Sequence, residues 1–179
     1  MYYTANYQSP VGEIVLGSTE THLVGLWTKG QKYFGDTVTE ELVENETLPI
    51  MIQTKAWLDD YFAGKKSPID RLPLAPIGGE FRQCVWQLLK EIPYGQTTTY
   101  GALAKEVAVR MGKSSMSSQA VGGAVGHNPI SIIIPCHRVV GATGSLTGFA
   151  GGIDMKIQLL EHEGADMTKF FVPKKGTAL

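Results

Sequence analysis

A proline-rich stretch near the middle of the chain separates two sequences with different hydrophobic periodicities. It spans residues 67–79, and its prolines are Pro68, Pro73 and Pro76. Proline fixes φ and has no amide hydrogen, so such a stretch continues neither a helix nor a central strand. We therefore predict two domains: residues 1–78, with the linker at 67–79 at their end, and residues 79–179.

The first domain is predicted to be a small αβ unit with a short antiparallel sheet. Residues of high β-propensity form three runs, Tyr2–Tyr7, Glu13–Gly17 and His22–Trp27, separated by polar turns. Residues 48–63 then place apolar side chains at helical spacing and end before Gly64.

The second domain is predicted to be mostly helical, which makes the whole chain α+β. Apolar stripes of helical period cover residues 81–92, 100–111 and 117–127. Thr97–Thr99 offer N-cap oxygens to the middle helix. The last two helices form a helix-turn-helix candidate, a weak signal alone because helical hairpins are common.

The third predicted helix has two unlike sides. At about 100° per residue, one side collects Ala120, Val121, Ala124 and Val125, and the other collects Gln119, Gly122, Gly123 and Gly126. A glycine costs about 1 kcal/mol relative to alanine inside a helix, so three together need a reason. Either the helix packs closely on another backbone, or a ligand such as a nucleic-acid groove approaches it. Serines at its N-terminus, Ser114, Ser115, Ser117 and Ser118, favour a phosphate.

Composition and charge limit the classes of protein. Hydrophobic residues make up 43% and charged residues 18% of the 179, as in folded proteins. The net charge is −1, with −4 in residues 1–78 and +3 in residues 79–179. This asymmetry permits a polyanionic partner, but a random scatter of surface charge explains it equally well. No apolar run is long enough for a membrane span and no secretory signal is visible, so we expect a cytoplasmic protein.

The two cysteines have different surroundings, and two cysteines exclude a disulfide framework. Cys84 lies on the apolar stripe of the first helix and is expected to be structural. Cys136 follows residues 130–134, an apolar run predicted as a buried strand, and then Pro135, so its thiol is expected to emerge at a corner. His137 is adjacent, and Glu161 or Glu163 could orient it to activate the thiol. The alternative is an exposed thiol that has no function.

The segment Pro135-Cys136-His137-Arg138-Val139 resembles the signature of the O6-alkylguanine-DNA alkyltransferases. The resemblance spans residues 80–165, while residues 1–78 match only in general character. Its other motifs are Ile92-Pro93-Tyr94-Gly95, Thr99-Tyr100-Gly101, Ala120-Val121-Gly122, Asn128-Pro129, Gly148-Phe149-Ala150-Gly151-Gly152 and His162-Glu163-Gly164.

The resemblance implies direct, stoichiometric DNA repair. An O6-alkylguanine is flipped out of the duplex, and Cys136 takes its alkyl group as a thioether, which inactivates the protein. His137 would act on Cys136 through a water, and Glu163 would orient His137. Tyr100 would donate a hydrogen bond or proton to the leaving guanine, and Lys156 would assist electrostatically. No cofactor or metal is implied, and activity on O4-alkylthymine is left open.

The resemblance also implies how DNA is bound. The helix at 117–127 would enter the minor groove of double-stranded DNA, and the side chain at position 119 would fill the gap left by the flipped base. The implied DNA-binding residues are Ser118, Gln119, Ala120, Gly122, Gly123, Gly126 and Arg138. Asn128 would brace the turn before Cys136, and the alkyl pocket would be walled by Phe149, Ala150 and Gly151. A monomer associated with the nucleoid is expected, with no membrane contact.

Two features depart from the family pattern. Many members carry arginine where Gln119 stands, and about five extra residues separate Tyr100 from Gln119.

A noncatalytic sensor of alkylation damage is a weak alternative, because such relatives lack the cysteine that is present here. A cysteine hydrolase would leave the glycines unexplained, and zinc binding through Cys136, His137 and His162 lacks a ligand spacing pattern.

Overall fold

The computed structural model describes residues 1–173; residues 174–179, the end of the second predicted domain, lie outside the described residues. The chain divides into two compact units between Ile77 and Gly78. Residues Pro129–Ile133 belong to the first unit, although they lie far along the chain in the second predicted domain.

The first unit contains a four-stranded sheet with strand order β3-β2-β1-β4. Its strands are β1 (Tyr2–Ser9), β2 (Gly12–Ser18), β3 (Leu23–Thr28) and β4 (Leu42–Glu44). The first three pair antiparallel, as predicted, whereas β4 pairs parallel with β1. The sequence does not reveal β4, because three residues are too few to show an alternation.

Helix α1 (Pro49–Phe62) contacts the three antiparallel strands and begins with proline, which suits the first helical turn. Its buried side chains include Trp57, Leu58 and Tyr61. On the sheet, fully buried Trp27 lies across Gly25: a Cβ at that glycine would stand 2.0 Å from the indole ring. Only glycine leaves room for this ring on the neighbouring position of the same strand face.

The proline-rich stretch is partly fixed to the sheet. Leu23 of β3 donates its amide hydrogen to the carbonyl of Pro73 (2.9 Å) and accepts from the amide of Ala75 (2.8 Å). A short 3₁₀ turn covers Ile69–Arg71. The linker is therefore an ordered part of the first unit up to Ile77.

The prediction of a strand at residues 130–134 is wrong. The segment forms one bridge, between Ile130 and Leu26 of β3, and then turns. Ile132 has φ +71°, a left-handed conformation that ends an extended run, and the amide of Ile133 bonds to the carbonyl of Ser131 (2.8 Å). Apolar character was identified correctly, because the segment is buried, but burial without alternation does not specify a strand.

The second unit contains the three predicted helices, α2 (Glu80–Lys90), α3 (Tyr100–Arg110) and α4 (Ser118–Gly126). It also contains a further helix, α5 (Ile153–His162). Two short strands, β5 (Thr98–Thr99) and β6 (Val139–Val140), pair parallel. Together with the first unit, this confirms the α+β class.

Helices α2, α3 and α4 contact one another around a shared core. The Thr99 hydroxyl caps α3 by accepting from Ala102 N (3.1 Å), as predicted, and the Ser117 hydroxyl caps α4. The indole of Trp86 on α2 donates to the carbonyl of Ala124 (2.9 Å), a buried bond that fixes α4 against α2. Among residues 1–173, no helix has both the length and the apolar character needed to cross a membrane.

Candidate active site

Cys136 lies in a tight, buried turn. Its amide donates to the carbonyl of Ile134 (2.8 Å) across Pro135, whose φ of −82° and ψ of 67° are those of an inverse γ-turn. A 3₁₀ turn, Cys136–Arg138, follows directly. Cys136 is only 6% exposed, so the expectation that its thiol emerges from the protein at this corner is wrong. The segment before Cys136 is not a strand that runs to the surface. The γ-turn at Pro135 leaves Cys136 buried.

Asn128 holds this turn from the end of α4. Its side-chain amide donates to the carbonyl of Ile134 (2.7 Å), the same oxygen that accepts from Cys136 N. Asn128 is itself buried. This contact connects the C-terminal end of α4 to the cysteine turn, the turn at which the resemblance implies a bracing role for Asn128.

His137, Glu163 and Arg138 form a buried charged cluster next to Cys136. His137 Nε2 lies 2.6 Å from Glu163 Oε2. The Arg138 guanidinium donates to both oxygens of the same carboxylate, from Nε to Oε1 (2.7 Å) and from Nη2 to Oε2 (3.0 Å). The sequence left Glu161 and Glu163 open, and the structure places Glu163 against the imidazole, at the end of α5.

The location of Arg138 contradicts the expectation that it contacts DNA. The residue is 6% exposed, and its guanidinium is engaged with Glu163 and with the carbonyl of Ile92 (2.7 Å). An unpaired buried carboxylate is costly, so Glu163 requires this cation inside the protein.

The protonation states in this cluster follow from burial and charge. Burial alone would raise the pKa of Glu163, but hydrogen bonds and charge from His137 and Arg138 lower it well below its usual range. Burial lowers the pKa of His137, against the opposing effect of Glu163. The resting pair is therefore a carboxylate and a neutral imidazole. Because a carboxylate only accepts, Nε2 carries the imidazole proton, and Nδ1 is left as the basic nitrogen. Nδ1 is buried and has no hydrogen-bond partner among the described residues.

Tyr100 and Lys156 form a second group near the cysteine, joined through the carbonyl of Thr147. The Tyr100 hydroxyl donates to it (3.0 Å), and Lys156 Nζ donates to it (2.8 Å) and to the carbonyl of Val139 (2.6 Å). Burial raises the pKa of Tyr100 above its usual range, and the charge of Cys136 adds to that rise. Burial lowers the pKa of Lys156 to about 8, opposed by attraction to Cys136. Both groups therefore lie within electrostatic reach of the sulfur.

The glycine-rich segment 148–152 contains the predicted pocket residues Phe149, Ala150 and Gly151, which are all half-buried. A Cβ on Gly151 would stand 2.6 Å from the sulfur of Met155 and 2.7 Å from the ring of Phe149. Close packing of these two side chains therefore depends on glycine at position 151.

Helix α4 exposes a narrower face than the sequence predicts. Ser118, Gln119 and Ala120 are exposed, and a Cβ on half-buried Gly123 would meet nothing within 4 Å. Gly122 and Gly126 are buried, so the expectation that they face DNA is wrong. The buried arc of α4 is about 200° wide, and it takes in these two glycines at its edge. Their burial accords with the first of the two interpretations, in which the helix packs against the rest of the protein.

Sequence reasoning missed two contributors to the site. Thr147 acts through its backbone carbonyl, which leaves no signal in a residue pattern. The ring of Tyr94 lies 5.6 Å from the Arg138 guanidinium carbon, and its position in the Ile92–Gly95 motif was the available signal. Among residues 1–173, no group of three or more His, Cys, Asp or Glu side chains is placed to hold a metal ion.

Comparison with known proteins identifies both halves of the chain. The family model described as "6-O-methylguanine DNA methyltransferase, DNA binding domain" matches residues 80–165. A second model, described as "6-O-methylguanine DNA methyltransferase, ribonuclease-like domain", matches residues 1–76.

Relatives and solved structures agree with these matches. A methylated-DNA–protein-cysteine methyltransferase of Methanosarcina acetivorans is 45% identical over 92% of this chain and 99% of its own length. One from Haemophilus influenzae is 38% identical over 91% of this chain and 86% of its own length. The crystal structure of Mycobacterium tuberculosis O6-methylguanine methyltransferase is 36% identical, with a TM-score of 0.78 over 94% of this chain and 98% of that one. The M. tuberculosis OGT in complex with DNA gives a TM-score of 0.76 over 94% of each chain. The chain belongs to the methylated-DNA–protein-cysteine methyltransferase family, as its motifs indicated.

Proposed function

We propose that this protein repairs O6-alkylguanine in double-stranded DNA by moving the alkyl group to Cys136, each molecule acting once. The observation that carries the proposal is the arrangement around the cysteine. His137, which follows Cys136 directly in the chain, carries a neutral imidazole oriented by Glu163. Lys156 and Tyr100 lie within electrostatic reach of Cys136. The names of the relatives, which refer to methylated DNA and protein cysteine, support the same reaction.

The transfer is a displacement at the alkyl carbon. The thiol proton passes through a water to His137 Nδ1, and the thiolate attacks as the bond between that carbon and guanine O6 breaks. The developing charge on guanine is offset by a hydrogen bond or proton from Tyr100, which burial keeps protonated. The products are an S-alkylcysteine and an unmodified guanine, so the proton lost by the thiol balances the proton gained by the base.

Lys156 has an electrostatic role in this scheme. Its ammonium is fully buried and bonded to two carbonyls, which fixes a positive charge near the sulfur. A nearby cation favours the thiolate over the thiol. The same hydrogen bonds hold the carbonyl of Thr147, and with it the hydroxyl of Tyr100, in a defined place.

The DNA surface is the exposed face of α4, and we place it in the minor groove. Gln119, Ala120 and Gly123 form this face, with exposed Ser118 at the N-terminal end of the helix, and it carries few bulky side chains. A narrow groove admits such a face, and contacts of this kind need less positive charge than a basic patch. Gln119 is the residue that would fill the stack when the damaged base is extruded. The M. tuberculosis structure with DNA supports a DNA partner. We propose that the protein acts as a monomer in the cytoplasm, on nucleoid DNA.

The test is intact-mass spectrometry after incubation with a duplex containing one O6-methylguanine. We expect one added methyl group per protein, mapped by peptide digestion to the segment with Cys136, and none in a Cys136→Ala variant. Binding of the damaged duplex without any mass change in the wild-type protein would favour the noncatalytic sensor. Transfer that persists in Cys136→Ala would refute the assignment of the acceptor.

A further inference from the structure

Arg138 is more tightly held than a surface DNA contact would be. Three of its nitrogens donate: two to the carboxylate of Glu163 and one, Nη1, to the carbonyl of Ile92. The forked pair is planar and bidentate, a geometry that fixes both partners. Nothing in the reaction described above uses this side chain.

The fork determines where Glu163 meets the imidazole. Oε2 of Glu163 accepts from His137 Nε2 (2.6 Å) and from Arg138 Nη2 (3.0 Å) at once. The other oxygen accepts from Arg138 Nε (2.7 Å) and from the amide of Gly95 (3.3 Å). With all four bonds in place the carboxylate cannot rotate freely, so the ring plane of His137 is fixed through it.

The fork also sets the charge that His137 meets. One anion, Glu163 at the end of α5, faces the imidazole, together with two cations, Arg138 on the same turn and Lys156 on α5. Tyr94, from the loop after α2, places an uncharged ring 5.6 Å from the guanidinium carbon. If Arg138 lost its charge, the carboxylate would draw a proton onto the imidazole. A protonated imidazole cannot accept the thiol proton.

We propose that Arg138 is a positioning residue for alkyl transfer: it holds the Glu163 carboxylate in place and offsets its charge, so that His137 stays a neutral base. This inference rests on the proposed function for its kinetic consequence. The state of the imidazole itself can be measured without DNA.

The first experiment follows His137 by ¹⁵N–¹H NMR across pH, with its resonance assigned from a His137→Asn variant. In Arg138→Gln, which can still form hydrogen bonds but has no charge, we expect the titration midpoint of His137 to rise by about one pH unit or more. In Arg138→Lys, which keeps the charge, it should stay within about half a unit of wild type. The matched control is Arg110→Gln, because Arg110 also donates two hydrogen bonds to one carboxylate, that of Glu91, through Nη1 and Nη2 at an exposed site; it should leave His137 unchanged. A folded Arg138→Gln protein with an unmoved His137 midpoint would overturn the role in charge.

The second experiment measures single-turnover methyl transfer across pH. Arg138→Gln should shift the acidic limb of the rate profile upward by the same amount as the NMR midpoint. Arg138→Lys, which loses the fork, should slow transfer by about tenfold at every pH without moving that limb. Arg138→Lys remains decisive if Arg138→Gln fails to fold, since a wild-type rate there would overturn the positioning role. Absence of any alkylated Cys136 in the wild-type protein would instead refute the proposed function and leave the NMR result standing.

Discussion

The hydroxyl of Tyr100 and the ammonium of Lys156 share one acceptor, the backbone carbonyl of Thr147. Lys156 Nζ lies 6.0 Å from the centre of the Tyr100 ring. The carbonyl thus connects the residue proposed to protonate the leaving base with the residue proposed to stabilise the thiolate. Tyr100 begins α3 and Lys156 lies on α5, so neither position suggests the connection in sequence.

Tyr100→Phe tests the proton donor. The substitution keeps the buried ring and removes the hydroxyl, so the developing charge on guanine loses its donor. We expect the single-turnover rate of methyl transfer to fall by about 100-fold, with a loss of about 1 kcal/mol in the free energy of unfolding from the bond to Thr147. Tyr7→Phe is the matched control, because it removes a tyrosine hydroxyl that bonds to Asp59 in the first unit, and it should transfer at the wild-type rate. Equal rates in both variants would remove Tyr100 from the mechanism.

The lowered pKa of Lys156 predicts that the rate of methyl transfer falls at alkaline pH. Burial lowers its pKa to about 8, so above that pH the amine is neutral and no longer favours the thiolate. Below that pH it is charged and its contribution is complete. We expect the transfer rate to decline with a midpoint near pH 8. Lys156→Met should be slower at neutral pH and should lack this decline. An identical alkaline limb in the variant would assign the decline to another group.

How much of this molecule can be predicted from its sequence depends on the kind of interaction. The antiparallel strands, α1 and the helices α2, α3 and α4 follow from periodicity and caps such as Thr99, which are local. The bridge of Ile130 to β3 and the left-handed Ile132 are tertiary outcomes that periodicity does not contain. The motifs predicted which side chains belong to the site, but they did not predict that Arg138 is buried against Glu163. An arginine in a motif carries the same signal whether it binds a phosphate or a buried carboxylate.

Asn128→Ala tests the brace between α4 and the cysteine turn. The buried side-chain amide donates to the carbonyl of Ile134, and its loss also leaves a small cavity. We expect a decrease of about 2 kcal/mol in the free energy of unfolding, measured with urea. Asn45→Ala, which removes a half-buried local turn acceptor for Thr47, should cost less than about 1 kcal/mol. A cost for Asn128→Ala no larger than for Asn45→Ala would mean that the turn does not depend on the brace.

Gln119→Arg tests the residue that departs from the common family pattern. Position 119 is exposed on α4, so the substitution does not disturb the core, and arginine adds a charge toward the phosphates. In a Cys136→Ala background, we expect a several-fold lower Kd for a duplex with O6-methylguanine, measured by fluorescence anisotropy. Glu106→Gln makes the same change in net charge on α3 and should have a smaller effect. Unchanged or weaker binding in Gln119→Arg would show that this side chain is not the wedge.

A substitution at Gly123 tests which face of α4 contacts DNA. A Cβ there would find open space, so Gly123→Leu should fold and gain up to about 1 kcal/mol in helix stability. If this face enters a narrow groove, the added side chain blocks the close approach of the backbone, and we expect the Kd for DNA to rise by about tenfold or more. Gly123→Ala should show the same stability gain with a smaller loss of affinity, which separates folding from contact. Wild-type affinity in a well-folded Gly123→Leu protein would place the DNA on another surface.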